Sequence, residues 1–172
     1  RDIGMVGSAW WFRHQTRRLI RRLDDPRWET VLAVAPDTAL GTRAFPGHLP
    51  RLAQGSGDLG RRMIGLFDRL PPGPALIVGG DIPDVTPAHV TDAFRRLAWA
   101  DCVFGPATDG GYWLIGFRRT AALPARALES VRWSTGDALA DSVATLAGLR
   151  IEYAATLRDV DTAKDLPAAR RS

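Results

Sequence analysis

The sequence predicts an α/β fold built on a mostly parallel sheet. Short apolar runs at 30–35, 75–79 and 101–105 are each bounded by glycine, proline or charged residues, which is typical of strands buried on both faces. Segments with apolar residues at helical spacing lie between these runs. Strands that alternate with helices of roughly 10–15 residues indicate an α/β sheet whose strands run mostly in one direction.

The predicted elements follow one another without a linker or repeat. Helices are predicted over 10–23 and 59–70, from Thr86-Pro87, from Ser134-Thr135 and, as a short last element, from Thr162, and strands over 30–35, 49–54, 75–79, 101–105, 112–117 and 150–157. Thr86 and Pro87 favour a helix start, because threonine caps free amide groups and proline suits the first turn. The strand at 112–117 is expected to pair with 101–105 or a neighbour.

Length and composition indicate one globular domain over residues 1–172. The 45% hydrophobic and 24% charged content excludes a disordered chain. No apolar run approaches the roughly eighteen residues of a membrane span. The single cysteine, Cys102, cannot form an internal disulfide, which favours a reducing cytoplasm.

The basic residues are almost all arginine, and five of them lie on the polar side of the 10–23 helix. They are Arg13, Arg17, Arg18, Arg21 and Arg22. This face is interpreted as solvated or as a phosphate or nucleic-acid contact, and both alternatives stay open. Since no recognisable RNA-binding motif interleaves aromatic residues with it, no nucleic-acid partner is expected. The histidines lack metal-ligand spacing, and neither a nucleophile elbow nor a Walker loop occurs.

Asp81 follows the central strand of the prediction. In open α/β sheets, ligands bind beyond the carboxyl ends of the strands, where this residue is expected. Gly79 and Gly80 leave the backbone bare beside it. A carboxylate there suits Mg²⁺, which takes one or two carboxylates together with substrate phosphates. The alternative is that Asp81 only caps its own loop in an Asx-turn.

Gly55, Gly57 and Gly60 form a G-x-G-x-x-G pattern, with Asp81 about twenty residues further on. This pattern is typical of dinucleotide-binding proteins. Its context is poor, because Pro50 and Arg51 lie where a buried apolar strand is needed, and Asp58 adds a negative charge where a pyrophosphate would approach. A phosphate or a base edge could still bind at this helix start.

The stretch at 104–116, FGPATDGGYWLIG, is the most unusual in the chain. Asp109-Gly110 is a hairpin-turn dipeptide, so a tight connection is one interpretation. The other is a sugar or nucleoside site, because a carboxylate, bare backbone and the aromatic Tyr112 and Trp113 lie together. In that interpretation one of these two rings stacks on the sugar.

Asp159 and Asp161 follow the last long predicted strand, just before Thr162. They are interpreted either as caps of the last helix or as a second metal-binding carboxylate facing Asp81.

Five strings together resemble one family. They are GDLGRRM (57–63), GGDIPDVTP (79–87), GPATDGGYWLIG (105–116), WST (133–135) and DVDTAKDL (159–166). The family is the bacterial DUF2064 family, glycosyltransferase A-like proteins linked by name to arsenosugar biosynthesis, in the nucleotide-diphospho-sugar transferase superfamily. A more distant similarity is to phospholactate and molybdenum-cofactor guanylyltransferases. The resemblance implies a GT-A-type, Rossmann-like three-layer sandwich with a mixed, mostly parallel sheet.

The resemblance also implies a metal site. Asp81 matches the metal-binding aspartate after the central strand, and Asp161 matches a late aspartate that contacts the metal in related nucleotidyltransferases. The implied cofactor is Mg²⁺ or Mn²⁺. Family members begin with a strand and a loop rich in Gly, Lys and Arg, whereas this chain opens on RDIG. We therefore expect an N-terminally truncated domain that lacks its first strand, and the alternative is a family member without the phosphate-binding loop.

The remaining site residues are implied in two groups. Asp109 and Tyr112, in the acceptor-side string, are the catalytic candidates, and the nucleotide- and substrate-binding candidates are Gln54, Gly57, Asp58, Gly80, Gly110, Gly111 and Trp113. The predicted function is metal-dependent glycosyl transfer from a nucleotide-diphospho-sugar to a small-molecule acceptor. Nucleotidyl transfer is the alternative, and an NAD-binding oxidoreductase or a non-catalytic binding module are rivals from other classes.

Overall fold

The structure, a computed structural model, describes residues 14, 16–42, 45–80, 82 and 84–158. The helices are α1 (16–23), α2 (Leu59–Arg69), α3 (Pro87–Arg96) and α4 (Ala138–Ala144). The strands are β1 (Leu32–Val34), β2 (Arg51–Ala53), β3 (Ala75–Val78), β4 (Cys102–Pro106), β5 (Tyr112–Phe117) and β6 (Ile151–Tyr153). The alternation confirms the predicted α/β class. Among the described helices, none combines the length and the apolar character that crossing a lipid bilayer requires.

The strands form two sheets. β1 and β2 pair in parallel, with Ala33 opposite Leu52. The larger sheet has the order β3-β5-β4-β6, in which β5 is antiparallel to both β3 and β4 while β6 is parallel to β4. Three of its four strands therefore run in one direction, and the predicted pairing of 112–117 with 101–105 is confirmed.

Apolar residues on alternate positions of the larger sheet serve two separate clusters, as expected for side chains that point to opposite faces. Trp113 and Val103 pack in one cluster with residues of α1 and α3. Phe117 and Phe104 pack in the other, with residues of α2 and α4. The sheet is thus the middle layer of a three-layer arrangement. Its second face is closed by Phe67 of α2, whose ring meets Phe117 edge-on at 5.0 Å.

Several predicted bounds differ from the structure. The strand predicted over 150–157 ends at Tyr153, although Leu157 adds a further bridge to Ala107. The helix predicted from Ser134 begins only at Ala138, because Ser134 has a left-handed φ of 61° that a helix cannot accommodate. The start of the first predicted helix, over 10–13, and the last helix lie outside the described residues.

The direction of the strands brings three connecting segments to one edge of the larger sheet. Because β3, β4 and β6 run the same way, the segments that follow them emerge at the same edge of the sheet. These segments are 79–84, 107–111 and 154–158. The first two segments contain five of the predicted site residues, Gly80, Asp81, Asp109, Gly110 and Gly111.

Candidate functional site

The loop after β3 carries the position of the predicted metal ligand. Gly79 N donates a 2.8 Å hydrogen bond to Trp113 O, which fixes the end of β3 against the start of β5. Further along, Ile82 and Val85 bury their side chains and anchor the loop in the core. Gly80 is exposed. Asp81, between Gly80 and Ile82, lies outside the described residues.

The loop ends at α3, whose start is fixed by a reciprocal cap. Thr86 Oγ1 accepts from His89 N at 3.4 Å, and His89 Nδ1 accepts from Thr86 N at 3.2 Å. The predicted threonine cap and proline start are therefore confirmed. The His89 ring also lies 5.9 Å from the Trp113 ring, which joins the start of the helix to the sheet.

Asp109 lies at the tip of the turn that joins β4 to β5. Its Oδ1 accepts from Gly111 N at 2.8 Å, and Ala107 N donates to Gly111 O at 3.0 Å. Gly110 has a φ of 90°, a conformation that glycine adopts readily. The predicted tight turn is therefore present, and its exposed carboxylate stands at the edge where ligands bind in open sheets. A position of this kind is compatible with both interpretations of the turn.

Tyr112 directs its hydroxyl into the protein. Ser142 Oγ, which is fully buried, donates to Tyr112 Oη at 3.2 Å. Burial raises the pKa of the phenol, so the hydroxyl is neutral at physiological pH. Its ring packs edge-on against Phe104 at 4.9 Å. These contacts give Tyr112 a supporting position behind the Asp109 turn.

The expectation that Trp113 offers a stacking surface for a sugar is wrong. The side chain is only 1% exposed, and its indole Nε1 donates to Ala155 O at 2.9 Å. The indole covers Gly105 on the neighbouring strand β4, where a Cβ would lie 2.6 Å from Nε1. Trp113 is therefore part of the core, and it ties β6's continuation to β5.

The loop between β2 and α2 contains the predicted nucleotide-binding residues. The Gln54 side chain is held at both ends, since Nε2 donates to Ala33 O at 3.2 Å and Oε1 accepts from Arg62 Nη1 at 3.2 Å. Gly57 has a φ of 106° and packs against the Arg61 side chain. The loop is thus fixed by its own contacts before any ligand binds.

Asp58 caps helix α2. Its Oδ1 accepts from Arg61 N at 2.8 Å, which satisfies one of the free amides at the helix start. A pyrophosphate would need those amides and would meet the carboxylate's negative charge. Although the three glycines do follow a strand and open a helix, this capping argues against a dinucleotide site.

Trp133 lies between helix α2 and Tyr112 of strand β5. A Cβ at Gly60 in α2 would lie 2.9 Å from its ring, and its ring lies 6.4 Å from that of Tyr112. Its Nε1 is buried and meets no hydrogen-bond partner among the described residues. Sequence reasoning assigned no role to this residue, although the WST string that contains it was among the signals of family resemblance.

The metal expectation depends on residues that the structure does not describe. Asp81 and Asp161 both lie outside the described residues. Within the described ranges, no group of three or more His, Cys, Asp or Glu side chains is arranged to hold a metal ion. Both predicted ligands supply carboxylate oxygens, which are the donors that Mg²⁺ and Mn²⁺ prefer.

Comparisons with known proteins agree with this architecture. The sequence model of a family described as "Uncharacterized protein conserved in bacteria (DUF2064)" matches residues 19–135. A similar solved structure is the crystal structure of a "putative nucleotide-diphospho-sugar transferase" from Desulfovibrio desulfuricans G20. It is 29% identical with a TM-score of 0.75, over 90% of this chain and 70% of that chain. A comparison with curated proteins finds no match.

Proposed function

This chain belongs to the DUF2064 family, and from that premise we propose that it is a metal-dependent transferase that uses a nucleotide-diphospho-sugar as donor. The observation that carries the proposal is the shared sheet edge, where the segment after β4 carries the exposed Asp109 and β3 ends shortly before Asp81 in the sequence. The similarity to the structure from Desulfovibrio desulfuricans supports the transferase class. The acceptor is proposed to be a small molecule with a hydroxyl group.

Asp81 is proposed to hold Mg²⁺ or Mn²⁺, together with Asp161. When bound, such an ion would supply positive charge beside the donor diphosphate and would stabilise the negative charge that grows on the leaving group. The protein's own part is to fix the loop that carries Asp81, and the buried Ile82 and Val85 do this. A Cβ at Gly80 would meet nothing within 4 Å among the described residues, and the diphosphate is proposed to lie beside this bare backbone.

Asp109 is proposed to orient the acceptor hydroxyl and to take its proton. The acceptor oxygen then bonds to the anomeric carbon of the sugar, the bond from that carbon to the diphosphate oxygen breaks, and the nucleoside diphosphate leaves with the electron pair. One carboxylate oxygen is already held by Gly111 N, so the group has a defined orientation. A Cβ at Gly111 would lie 3.1 Å from Asp109 Oδ1, so this glycine leaves the carboxylate without a neighbouring side chain.

Gln54 and Gly57 are proposed to border the nucleotide base, with Asp58 in a supporting role as the cap of α2. Gln54 is held between Ala33 and Arg62, so it presents a fixed surface. Each of these two bonds uses only part of the amide, so one N–H and one oxygen lone pair are left for a base.

The test is a thermal-shift panel of UDP-, GDP-, ADP- and CDP-sugars, nucleoside triphosphates and NAD, each with and without Mn²⁺. A ligand at one hundred times its dissociation constant stabilises by about 2.7 kcal/mol, which is roughly 5–10 °C for a domain of this size. We expect a Mn²⁺-dependent shift with one diphospho-sugar. A shift with a triphosphate alone would favour nucleotidyl transfer over glycosyl transfer. A metal-independent shift with NAD, or no shift with any ligand, would contradict the proposal.

The matched variants are Asp81→Asn and Asp84→Asn. Both remove one negative charge from the same loop, but the exposed Asp84 has no part in the proposed site. The Mn²⁺-dependent shift should disappear in Asp81→Asn and persist in Asp84→Asn. An equal loss in both variants would indicate an effect of net charge, and Asp81 would then no longer be the proposed ligand.

A further inference from the structure

The segment at 132–137 packs directly against the Asp109 turn. A Cβ at Gly110 would overlap the backbone of Gly136, and one at Gly136 would lie 3.4 Å from Asp109 O. Leu139 N also donates to Gly110 O at 3.1 Å. The two backbones therefore touch with no side chain between them, so a shift of one segment moves the other.

Arg132 holds this segment at both of its ends. Its backbone N and its Nε donate to Asp141 Oδ2 at 3.0 and 2.8 Å, and its Nη2 donates to Asp141 Oδ1 at 2.9 Å. Its Nη1 also lies 2.8 Å from Asp137 Oδ2. A single guanidinium thus joins residue 132 to residue 137 and attaches both to helix α4. This bidentate geometry is specific to arginine.

The segment depends on its contacts with helix α4, because its own backbone has strained dihedral angles. Ser134 has a φ of 61°, and Ser130, just upstream, has one of 57°. Non-glycine residues keep such conformations only where the surrounding contacts impose them. Thr135 supplies one further contact, since its Oγ1 donates to Arg132 O at 2.7 Å.

We propose that Arg132 is a positioning residue, which fixes the Asp109 turn through the contact between Gly136 and Gly110. The proposal rests on the proposed function in one respect, namely that Asp109 faces the acceptor. The guanidinium side chain is 62% exposed, and exposed ion pairs contribute little to global stability. Loss of Arg132 should therefore disturb the turn while the fold stays intact.

The first test measures amide hydrogen exchange in Arg132→Gln. We expect the Leu139 and Gly111 amides to exchange at least tenfold faster than in the parent protein, with the amides of β5 unchanged. Arg126→Gln is the control, because Arg126 forms an exposed ion pair with Glu129 nearby and, among the described residues, no hydrogen bond or ion pair with the turn. An exchange rate of Leu139 within twofold of the parent would overturn the proposal.

The second test separates positioning from structure by kinetics. With the diphospho-sugar and Mn²⁺ identified by the thermal-shift panel, we expect kcat of Arg132→Gln to fall about tenfold while the donor KM stays within twofold. Arg126→Gln should match the parent. An unchanged kcat despite faster exchange at Leu139 would overturn the role of Arg132. If the parent transfers no sugar from any donor, the proposed function fails, and the exchange measurement still decides whether Arg132 holds the turn.

Discussion

The indole of Trp113 occupies the space that a side chain at Gly105 would need. The two residues lie on paired strands, and Gly105 is opposite Leu114 in the register of β4 and β5. The same indole donates to Ala155 O at 2.9 Å, so one side chain connects β5 to the segment after β6. Gly105 forms no turn, so it is the packing of Trp113 that requires a glycine here. The position lies near the end of β4, the strand that leads into the Asp109 turn.

Gly105→Ala should destabilise the protein, because the new methyl group would displace the indole and weaken its hydrogen bond to Ala155. Overpacking of this kind costs about 1–3 kcal/mol, which urea denaturation measures directly. The control is Gly65→Ala, where the described residues leave open space beside the glycine in helix α2. There we expect a gain of about 0.5–1 kcal/mol, since alanine favours the helix. Equal effects at both sites would contradict the packing argument.

Tyr112→Phe distinguishes a supporting hydroxyl from a reacting one. It leaves the buried Ser142 Oγ without its acceptor, which should cost about 1–3 kcal/mol of stability. If the hydroxyl only supports the turn, kcat with the identified donor should stay within a few-fold. A loss on the order of a hundredfold or more would instead indicate proton transfer by the phenol.

Ser142→Ala provides the comparison for that variant. It removes the same hydrogen bond from the other side and keeps the phenol, so a supporting role predicts similar kinetics for both variants. Combining the two changes should cost less than the sum of the single losses, because no buried hydroxyl is then left without a partner.

Features that depend on nearby sequence were predictable. The apolar runs at 75–79 and 112–117 do form strands, β5 buried and β3 half-buried, and the threonine-proline start of α3 is a local pattern. The Asp109-Gly110 hairpin also follows from two adjacent residues. Each of these depends on groups within a few positions of one another, where propensity and turn chemistry decide the structure.

Features that depend on pairing between distant segments were not predictable. Whether Trp113 is buried or exposed is decided by Gly105 on another strand and by Ala155, 42 residues away. The role of Arg132 requires the position of Asp141 across a left-handed turn at Ser134, which the sequence signals as a helix start. A motif therefore predicts which segment carries a candidate site, whereas contacts with distant segments decide which of its side chains are exposed.

Cys102 should be unreactive in the native protein. The thiol is fully buried in β4, and burial raises its pKa, whereas only the thiolate reacts with disulfide reagents. A chromogenic disulfide should react with the native protein only at the rate at which β4 opens locally. In urea the reagent should release one equivalent of chromophore per chain. Rapid reaction in the absence of urea would mean that β4 opens readily, contrary to its place between β5 and β6.

Asp141 should titrate far below an ordinary aspartate. Arg132 lowers the pKa of Asp141 from 3.8 to about 2. The largest cause is the hydrogen bonding from the Arg132 guanidinium, and the next is the hydrogen bond from the Arg132 backbone amide. Because the folded pKa is the lower one, the pair stabilises the protein above pH 3.8, and this contribution is lost as the pH falls through about 2.

Carboxyl ¹³C NMR titration measures the pKa of Asp141 directly, and in Arg132→Gln this pKa should return towards 3.8. Asp25 is an internal control, since Arg27 lowers its pKa to about 2 as well, and it should not change in that variant. A value for Asp141 near 3.8 in the parent protein would mean that the guanidinium does not hold the carboxylate in solution, and the support of the Asp109 turn would have to come from Thr135 and Leu139 instead.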